Sequence, residues 1–359
     1  MKILVYGGAF NPIHKGHINI IECACEYLEI DKLIIVPNKL VHFKSNDNVV
    51  SFDRRVDMIN LALKDININC DIEISDLEDK QEDTTYTIDL IKLLKDIYVN
   101  DKFYFLIGSD HVSKLNQWKD IDLLKKEVEF VVAKREENFV SDEFIVINNE
   151  VVTLSSTDIR DNYESTAIEE VDIYIRYYGL YLNDLLKSYL KEKRIIHSNN
   201  VATLARKYAL KYHLDENKAY VAGMLHDIAK DIPLDKQYEL VKNDKVFECH
   251  DATVHAFSAV HIVKDVLNIK DEDILEAIKW HTTAYFKMAP LSKLIYCCDM
   301  VSADRDYQGV EELRKLLEVD LNECFKQCFL ASYDFLLAKN IVISKELVEL
   351  KENVERNDV

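Results

Sequence analysis

The sequence predicts two domains of different class: an α/β domain on a doubly wound parallel sheet, then an all-α domain. Three observations lead there. Up to about residue 150, short apolar runs alternate with stretches of helical spacing. After Tyr181 the strand-like runs stop. The 359 residues suffice for two cores at roughly 100–200 residues each.

Lys2–Tyr6 (KILVY), Lys32–Val36, Phe103–Ile107 and Val128–Ala133 read as strands. They are β-branched and aromatic with no polar alternation, the pattern of strands covered by helices on both faces. Between them His17–Leu28, Arg54–Leu63 and Thr87–Tyr98 repeat apolar residues at helical spacing. Strand–helix alternation of this kind predicts a Rossmann-like order. From 184 to 351 one amphipathic helical pattern follows another, including 199–212, 215–230, 255–267, 271–280, 291–303 and 332–348. No Pro/Gly/Ser-rich linker marks the boundary, which is expected to divide 1–184 from 185–359.

Charge narrows the function classes. The chain has 45 Lys+Arg against 64 Asp+Glu, net −19. Residues 1–181 carry 20 basic and 34 acidic side chains, and 182–359 carry 25 and 30. Neither half is basic, which argues against nucleic acid or an anionic membrane as partner. Any phosphate must be met by a local nest, particular cations or bound metal. No apolar run reaches transmembrane length, and MKILVYGGAF lacks the apolar core of a signal peptide. Eight cysteines without a CxxC pair read as reduced thiols, so a cytoplasmic location is expected. Cys324 and Cys328, one helical turn apart, read as core packing because no second pair answers them.

Only seven glycines are present, and three of them fall in Gly7-Gly8-Ala9-Phe10-Asn11-Pro12-Ile13-His14-Lys15-Gly16-His17. A strand, a glycine turn and a helix start aim backbone N–H groups at an anion. His14 and His17 flank Gly16 where phosphates would lie, and either imidazole could donate to them.

This segment closely resembles the nucleotidylyltransferase superfamily motif His-x-Gly-His, and in particular bacterial nicotinate-nucleotide adenylyltransferase. Further segments match in order over essentially all of 1–181. Lys44 falls at the phosphate-binding lysine, with Phe43 where a His is common and His42 one place earlier. Thr85-Tyr86-Thr87 resembles the segment that receives the nicotinate carboxylate. Gly108-Ser109-Asp110 and Trp118 resemble the ribose and pyridine region. Ser155-Ser156-Thr157 leading to Arg160 resembles the second phosphate motif. The resemblance implies adenylyl transfer from ATP to nicotinate mononucleotide, giving deamido-NAD and pyrophosphate. His14, His17, Lys44 and Arg160 would be catalytic, with Mg²⁺ on the phosphates. Gly7, Gly8, Phe10, Asn11 and the segments above would bind substrate, and Ser156 and Thr157 would cap the helix carrying Arg160. Pantetheine-phosphate adenylyltransferase shares the core, but Trp118 and the Tyr-Thr segment favour a pyridine nucleotide.

The second half places His197, His226-Asp227, His255, His281 and Asp299 on successive helical patterns. A mixed N/O set of this kind suits Fe, Mn, Co or Zn, and paired ions would clamp a phosphoryl group. Over roughly 185–310 the series resembles the HD phosphohydrolases, with Ala222–Lys230 and Ile278–Thr282 similar to the bacterial diadenosine tetraphosphate hydrolase. His255-Ala256 stands where His-Gly is usual, and Ser302-Ala303 where Glu-Pro is. That resemblance implies an all-α HD fold, one or two ions of Fe, Mn or Co held by this series with Asp227 catalytic as well as a ligand, and symmetrical cleavage of a dinucleoside polyphosphate to two ADP. Lys230 and Arg305 would contact the polyphosphate. The alternatives are a regulatory nucleotide-binding module, or a hydrolase of another nucleotide. A homo-oligomer is compatible with this reading.

Overall fold

The computed structural model describes residues 1–39, 50–81, 86–242, 244 and 250–356. The chain divides into two compact units, Met1–Tyr174 and Ile175–Val359.

In the first unit, strands β1 (Lys2–Gly8), β2 (Lys32–Pro37), β3 (Asp71–Ile74), β4 (Lys102–Gly108), β5 (Glu129–Ala133) and β6 (Ile145–Ile147) form one sheet. Their order is β3-β2-β1-β4-β5-β6, and every pairing is parallel. Ile3, Leu4 and Val5 of the central strand have no exposed surface, as their unbroken apolar run predicts. β3 and β6 are the two strands that periodicity does not mark. Both are short edge strands, partly polar or half-exposed, so no two-faced apolar run announces them. Helices α1 (Lys15–Leu28), α2 (Phe52–Ala62), α3 (Thr87–Ile97), α4 (Ser109–Val112), α5 (Ile121–Glu127) and α6 (Ser156–Asn162) complete the doubly wound order, and the division between the units falls within α7 (Glu169–Tyr178). The strand order reverses between β1 and β4, so their carboxyl ends, Gly8 and Gly108, open the crevice where such sheets bind ligands.

The second unit is helical: α8 (Leu182–Tyr189), α9 (Glu192–Lys211), α10 (Glu216–Leu225), α11 (Leu234–Val241), α12 (Val254–His261), α13 (Glu272–Trp280), α14 (Pro290–Val301), α15 (Val310–Leu317), α16 (Leu321–Ala338) and α17 (Lys345–Glu355). The pattern expected over 215–230 is cut short: α10 ends at Leu225, and His226–Asp231 form turns. The pattern at 332–348 is also two pieces, because Asn340 takes a left-handed φ of 54° between α16 and α17. α9 and α10 approach so closely at Gly223 that an added Cβ would stand 2.6 Å from Ala202 Cα. Among the described residues no helix is long and apolar enough to cross a membrane.

Candidate active sites

At the end of β1 the two histidines cap their own helix. His14 is the N-cap of α1: its Nδ1 accepts from Gly16 N–H at 3.1 Å, while His17 Nδ1 accepts from His14 N–H at 3.2 Å. This is a capping box made of imidazoles. It fixes the chemistry of both rings, because a neutral ring whose Nδ1 accepts must carry its proton on Nε2. The rings lie 3.9 Å apart. Burial lowers His14 to about 4, helped by the Arg135 charge, and burial with the neighbouring His14 and Arg135 holds His17 well below its ordinary value. Both are therefore neutral Nε2–H donors at physiological pH. Gly16 permits the arrangement, since a Cβ there would meet the His14 ring at 2.9 Å.

The second phosphate segment closes on this turn. Ser156 Oγ donates to Pro12 O at 2.9 Å, and Arg160 donates from Nη1 to Asn11 O at 2.6 Å and from Nη2 to Thr157 Oγ1 at 3.3 Å. The cap of α6 is Ser155, whose Oγ accepts from Asp158 N–H at 3.1 Å. This corrects the expectation that Ser156 and Thr157 cap the helix: their hydroxyls face the glycine turn and the Arg160 guanidinium instead. Trp118 packs edge-on against Phe105 of β4 and Phe130 of β5. Lys119 beside it lies over the Tyr86 ring and pairs with Asp89 of α3 at 3.0 Å, so the Tyr86-Thr87 start of α3 and the Trp118 loop come together.

In the helical unit His226 and His281 are C-caps of α10 and α13. Each donates Nδ1–H to the carbonyl three residues earlier, Gly223 O and Ile278 O, at 2.7 Å. That leaves both Nε2 lone pairs available as ligands. Two groups of candidate ligand atoms each lie within 4.8 Å of one another: His197, His226 and Asp299, and His226, Asp227 and His281. His255 Nε2 joins the second group, 3.2 Å from Asp227 Oδ1 and 3.3 Å from His281 Nε2. Burial works against the Asp227 and Asp299 charges, yet the surrounding imidazoles hold both carboxyls low. Burial lowers His226 and His255 to about 4. His226 Nε2 is buried without a hydrogen-bond partner, an orphan that a divalent ion would satisfy. The donor set and that orphan fit such a metal.

A cavity of about 370 Å³ opens on these groups, lined by Lys191, Lys193, Arg194, His197, Asp227, Asp231, Asp304 and Arg305. Arg305 pairs with Asp299. Lys230 lies 2.9 Å from His255 Nε2.

Residues 5–162 match the cytidylyltransferase-like family model and 194–305 the HD domain. The probable nicotinate-nucleotide adenylyltransferase of Aliarcobacter butzleri is 40% identical over 179 residues, which cover 47% of this chain and 94% of that protein. The chain belongs, through its first half, to the nicotinate-nucleotide adenylyltransferase family. The probable nicotinate-nucleotide adenylyltransferase/Ap4A hydrolase of Mycoplasma genitalium is 29% identical, covering 90% of this chain and 95% of that one. A crystal structure of a predicted HD superfamily hydrolase involved in NAD metabolism, from Clostridium acetobutylicum, is 33% identical and covers 49% of this chain and 96% of that one, with a TM-score of 0.46. The family matches and the observed topology together give a parallel sheet of the adenylyltransferase family followed by a helical HD domain, and an HD domain implies divalent-metal binding.

Gly7 and Gly8 end β1, and Gly108, Ser109 and Asp110 lie at the end of β4. Phe10 is buried beneath Tyr6 and His17, edge-on to both rings at 5.3 Å, so it supports the His17 ring. Lys44, with His42 and Phe43, and Thr85 lie outside the described residues. Sequence reasoning missed Arg55, which is buried and ties the loops after β1 and β2 through Ala9 O at 2.8 Å and Asn38 O at 3.0 Å. It missed Arg135, two residues past β5, whose N–H donates to Ser109 Oγ at 3.0 Å. In the HD half it missed Lys191, Lys193 and Arg194 on the cavity wall, and Asp304, which meets His197 Nδ1 at 2.8 Å. A basic residue just beyond a strand end, or a Lys-x-Lys-Arg run at a helix start, was the available signal.

Proposed function

We propose that the chain is a bifunctional enzyme. Residues 1–184 transfer adenylyl from ATP to nicotinate mononucleotide, giving deamido-NAD and pyrophosphate. Residues 185–359 cleave diadenosine tetraphosphate symmetrically into two ADP.

The reciprocal capping of His14 and His17 carries the first assignment. A 5′-phosphate oxygen of the mononucleotide bonds to the α-phosphorus of ATP, and the bond from that phosphorus to the pyrophosphate oxygen breaks. The attacking group is already an anion, so the protein's task is alignment and charge stabilisation. Two neutral Nε2–H donors, locked by the helix they cap, meet charge as it builds on the leaving pyrophosphate without reorganising. Arg160 and Lys44 add positive charge, and Mg²⁺ would neutralise the phosphates further. Gly7, Gly8 and Asn11 bring the turn against the phosphates. Ser109, Asp110, Trp118 and the 85–87 segment take the ribose and pyridine ring, Ser155–Thr157 the second phosphate position.

The second assignment rests on two ligand groups that share His226, beside a cavity whose wall carries Lys191, Lys193, Arg194 and Arg305 together with three aspartates. His197, His226, Asp227, His255, His281 and Asp299 would hold one or two ions of Fe, Mn or Co, which when bound supply Lewis-acid activation of water and phosphate. Arg194, Lys230 and Arg305 then take the polyphosphate by charge. Water's oxygen joins one central phosphorus, the bridging oxygen stays with the other ADP, and a proton leaves to solvent.

His17→Ala is expected to abolish deamido-NAD synthesis and spare hydrolysis, and Asp227→Ala to do the reverse. A broad nucleotide panel read by chromatography decides the hydrolase half. ADP alone from diadenosine tetraphosphate supports symmetrical cleavage, ATP plus AMP refutes it, and no cleavage of any nucleotide by Fe- or Mn-loaded protein removes the hydrolase assignment.

A further inference from the structure

We propose that the HD-domain unit contains a second metal site of a different kind, in which Cys297, Cys324 and Cys328 bind one thiophilic divalent ion of the zinc–cadmium type. Cys324 and Cys328 lie four residues apart on one face of α16, and α14 brings Cys297 against them. The pair that seems unanswered in the sequence is therefore answered in space. The three sulfurs all lie within 4.8 Å of one another, the Cys324–Cys328 pair at 3.9 Å. Three thiolates around one ion at about 2.3 Å stand about 4 Å apart, so the cluster needs only a small contraction to hold one. Its donors are sulfur alone, whereas those of the histidine–aspartate groups are nitrogen and oxygen. The two sites therefore select different ions.

A second observation concerns charge. Three thiolates on a divalent ion leave one net negative charge, which a dry core opposes. Lys293 stands one turn before Cys297 on the same helix and is only 7% exposed. Its Nζ donates to Asn322 Oδ1 at 2.8 Å and lies 5.7 Å from the Phe325 ring centre. Among the described residues it has no carboxylate partner. One divalent ion, three thiolates and one ammonium sum to zero. Binding displaces the thiol protons to solvent and fastens α14, the helix that also carries Asp299, to α16.

The probe is Cd²⁺, added to the full-length chain after reduction and chelation. Sulfur-to-cadmium charge-transfer absorbance reports thiolate ligation and is blind to the histidine–aspartate groups. The expected result is a band saturating at one equivalent, lost in Cys297→Ser and Cys328→Ser but kept in Cys298→Ser, whose thiol is equally buried and adjacent. Lys293→Met guards against variants that merely fail to fold. It replaces a buried charge by an apolar chain of similar length, and Cd²⁺ affinity should fall at least tenfold while the fold survives by circular dichroism. Absence of a one-equivalent band in the wild type overturns the proposal. So does a band that survives in folded Cys297→Ser, or Cd²⁺ affinity unchanged in folded Lys293→Met.

Discussion

His226 and His281 hold the same position in two different helices. Each ends its helix, each donates Nδ1–H to the carbonyl three residues before it, and the two rings meet 4.9 Å apart at 83°. The last carbonyls of a helix have no partner within it, so the capping bond serves the helix and the ligand geometry together. Because His226 belongs to both ligand groups, its loss should be felt twice. His226→Ala is expected to purify with almost no bound metal and to lose hydrolysis by more than about 100-fold, beyond the cost of losing an outer partner. His197→Ala should retain part of the metal, since His226, Asp227 and His281 remain. Elemental analysis of the two variants beside the wild type makes the comparison.

Asp304 is expected to act through His197. Its carboxylate takes the Nδ1 side of that ring at 2.8 Å and is itself held by Asn200 Nδ2 at 3.0 Å, which leaves Nε2 facing Asp299 at 3.0 Å. Asp304→Asn should weaken metal binding about 10–100-fold, with little change in the melting temperature of the metal-free protein. Titration calorimetry with Mn²⁺ gives the affinity. Equal affinities in variant and wild type would show that Asp304 has no hold on the site.

Much of this was legible because both sites lie on short contiguous segments. The strand–glycine turn–helix of residues 2–28 announces itself by an apolar run and three closely spaced glycines, and the His-Asp pair by adjacency. What stayed hidden depends on three-dimensional convergence. Asp304 reaches His197 across 107 positions, and Arg55 reaches Ala9 across 46. The break at His226–Asp231 was also hidden, because residues that leave α10 keep apolar spacing when they line a buried site. β3 and β6 were missed for the opposite reason: edge strands of four and three residues leave too little pattern to count.

Gly16→Ala tests whether the imidazole capping box matters to the chemistry. The new methyl would stand 2.9–3.0 Å from the His14 ring, so the ring must turn away and its bond to the residue 16 N–H must lengthen. Displacing a locked donor by about 1 Å costs on the order of 100-fold in rate. The expected result is a kcat for deamido-NAD formation lower by about that factor, with hydrolysis unchanged. Steady-state kinetics of both reactions on one preparation separate this from general misfolding.

Stability of the sheet-bearing unit should fall as the medium becomes acidic, and His14 should account for part of the fall. Its folded value is about 4, lowered first by burial and then by the Arg135 charge, against an ordinary 6.5 in the unfolded chain. Between those values the unfolded state binds the proton that the folded state refuses. The slope of unfolding free energy with pH is therefore positive there, and stability is lost as pH drops through that window. At its steepest one such imidazole contributes on the order of 1.4 kcal/mol per pH unit. Urea denaturation of the chelated protein, followed by fluorescence of Trp118 in a Trp280→Phe background, should show this slope between pH 6 and pH 5. His14→Gln keeps a polar side chain but cannot take the proton, and should flatten the slope by about that amount. An identical slope in wild type and His14→Gln would mean that His14 titrates alike in the folded and unfolded chain, and that its neutrality is not built into the fold.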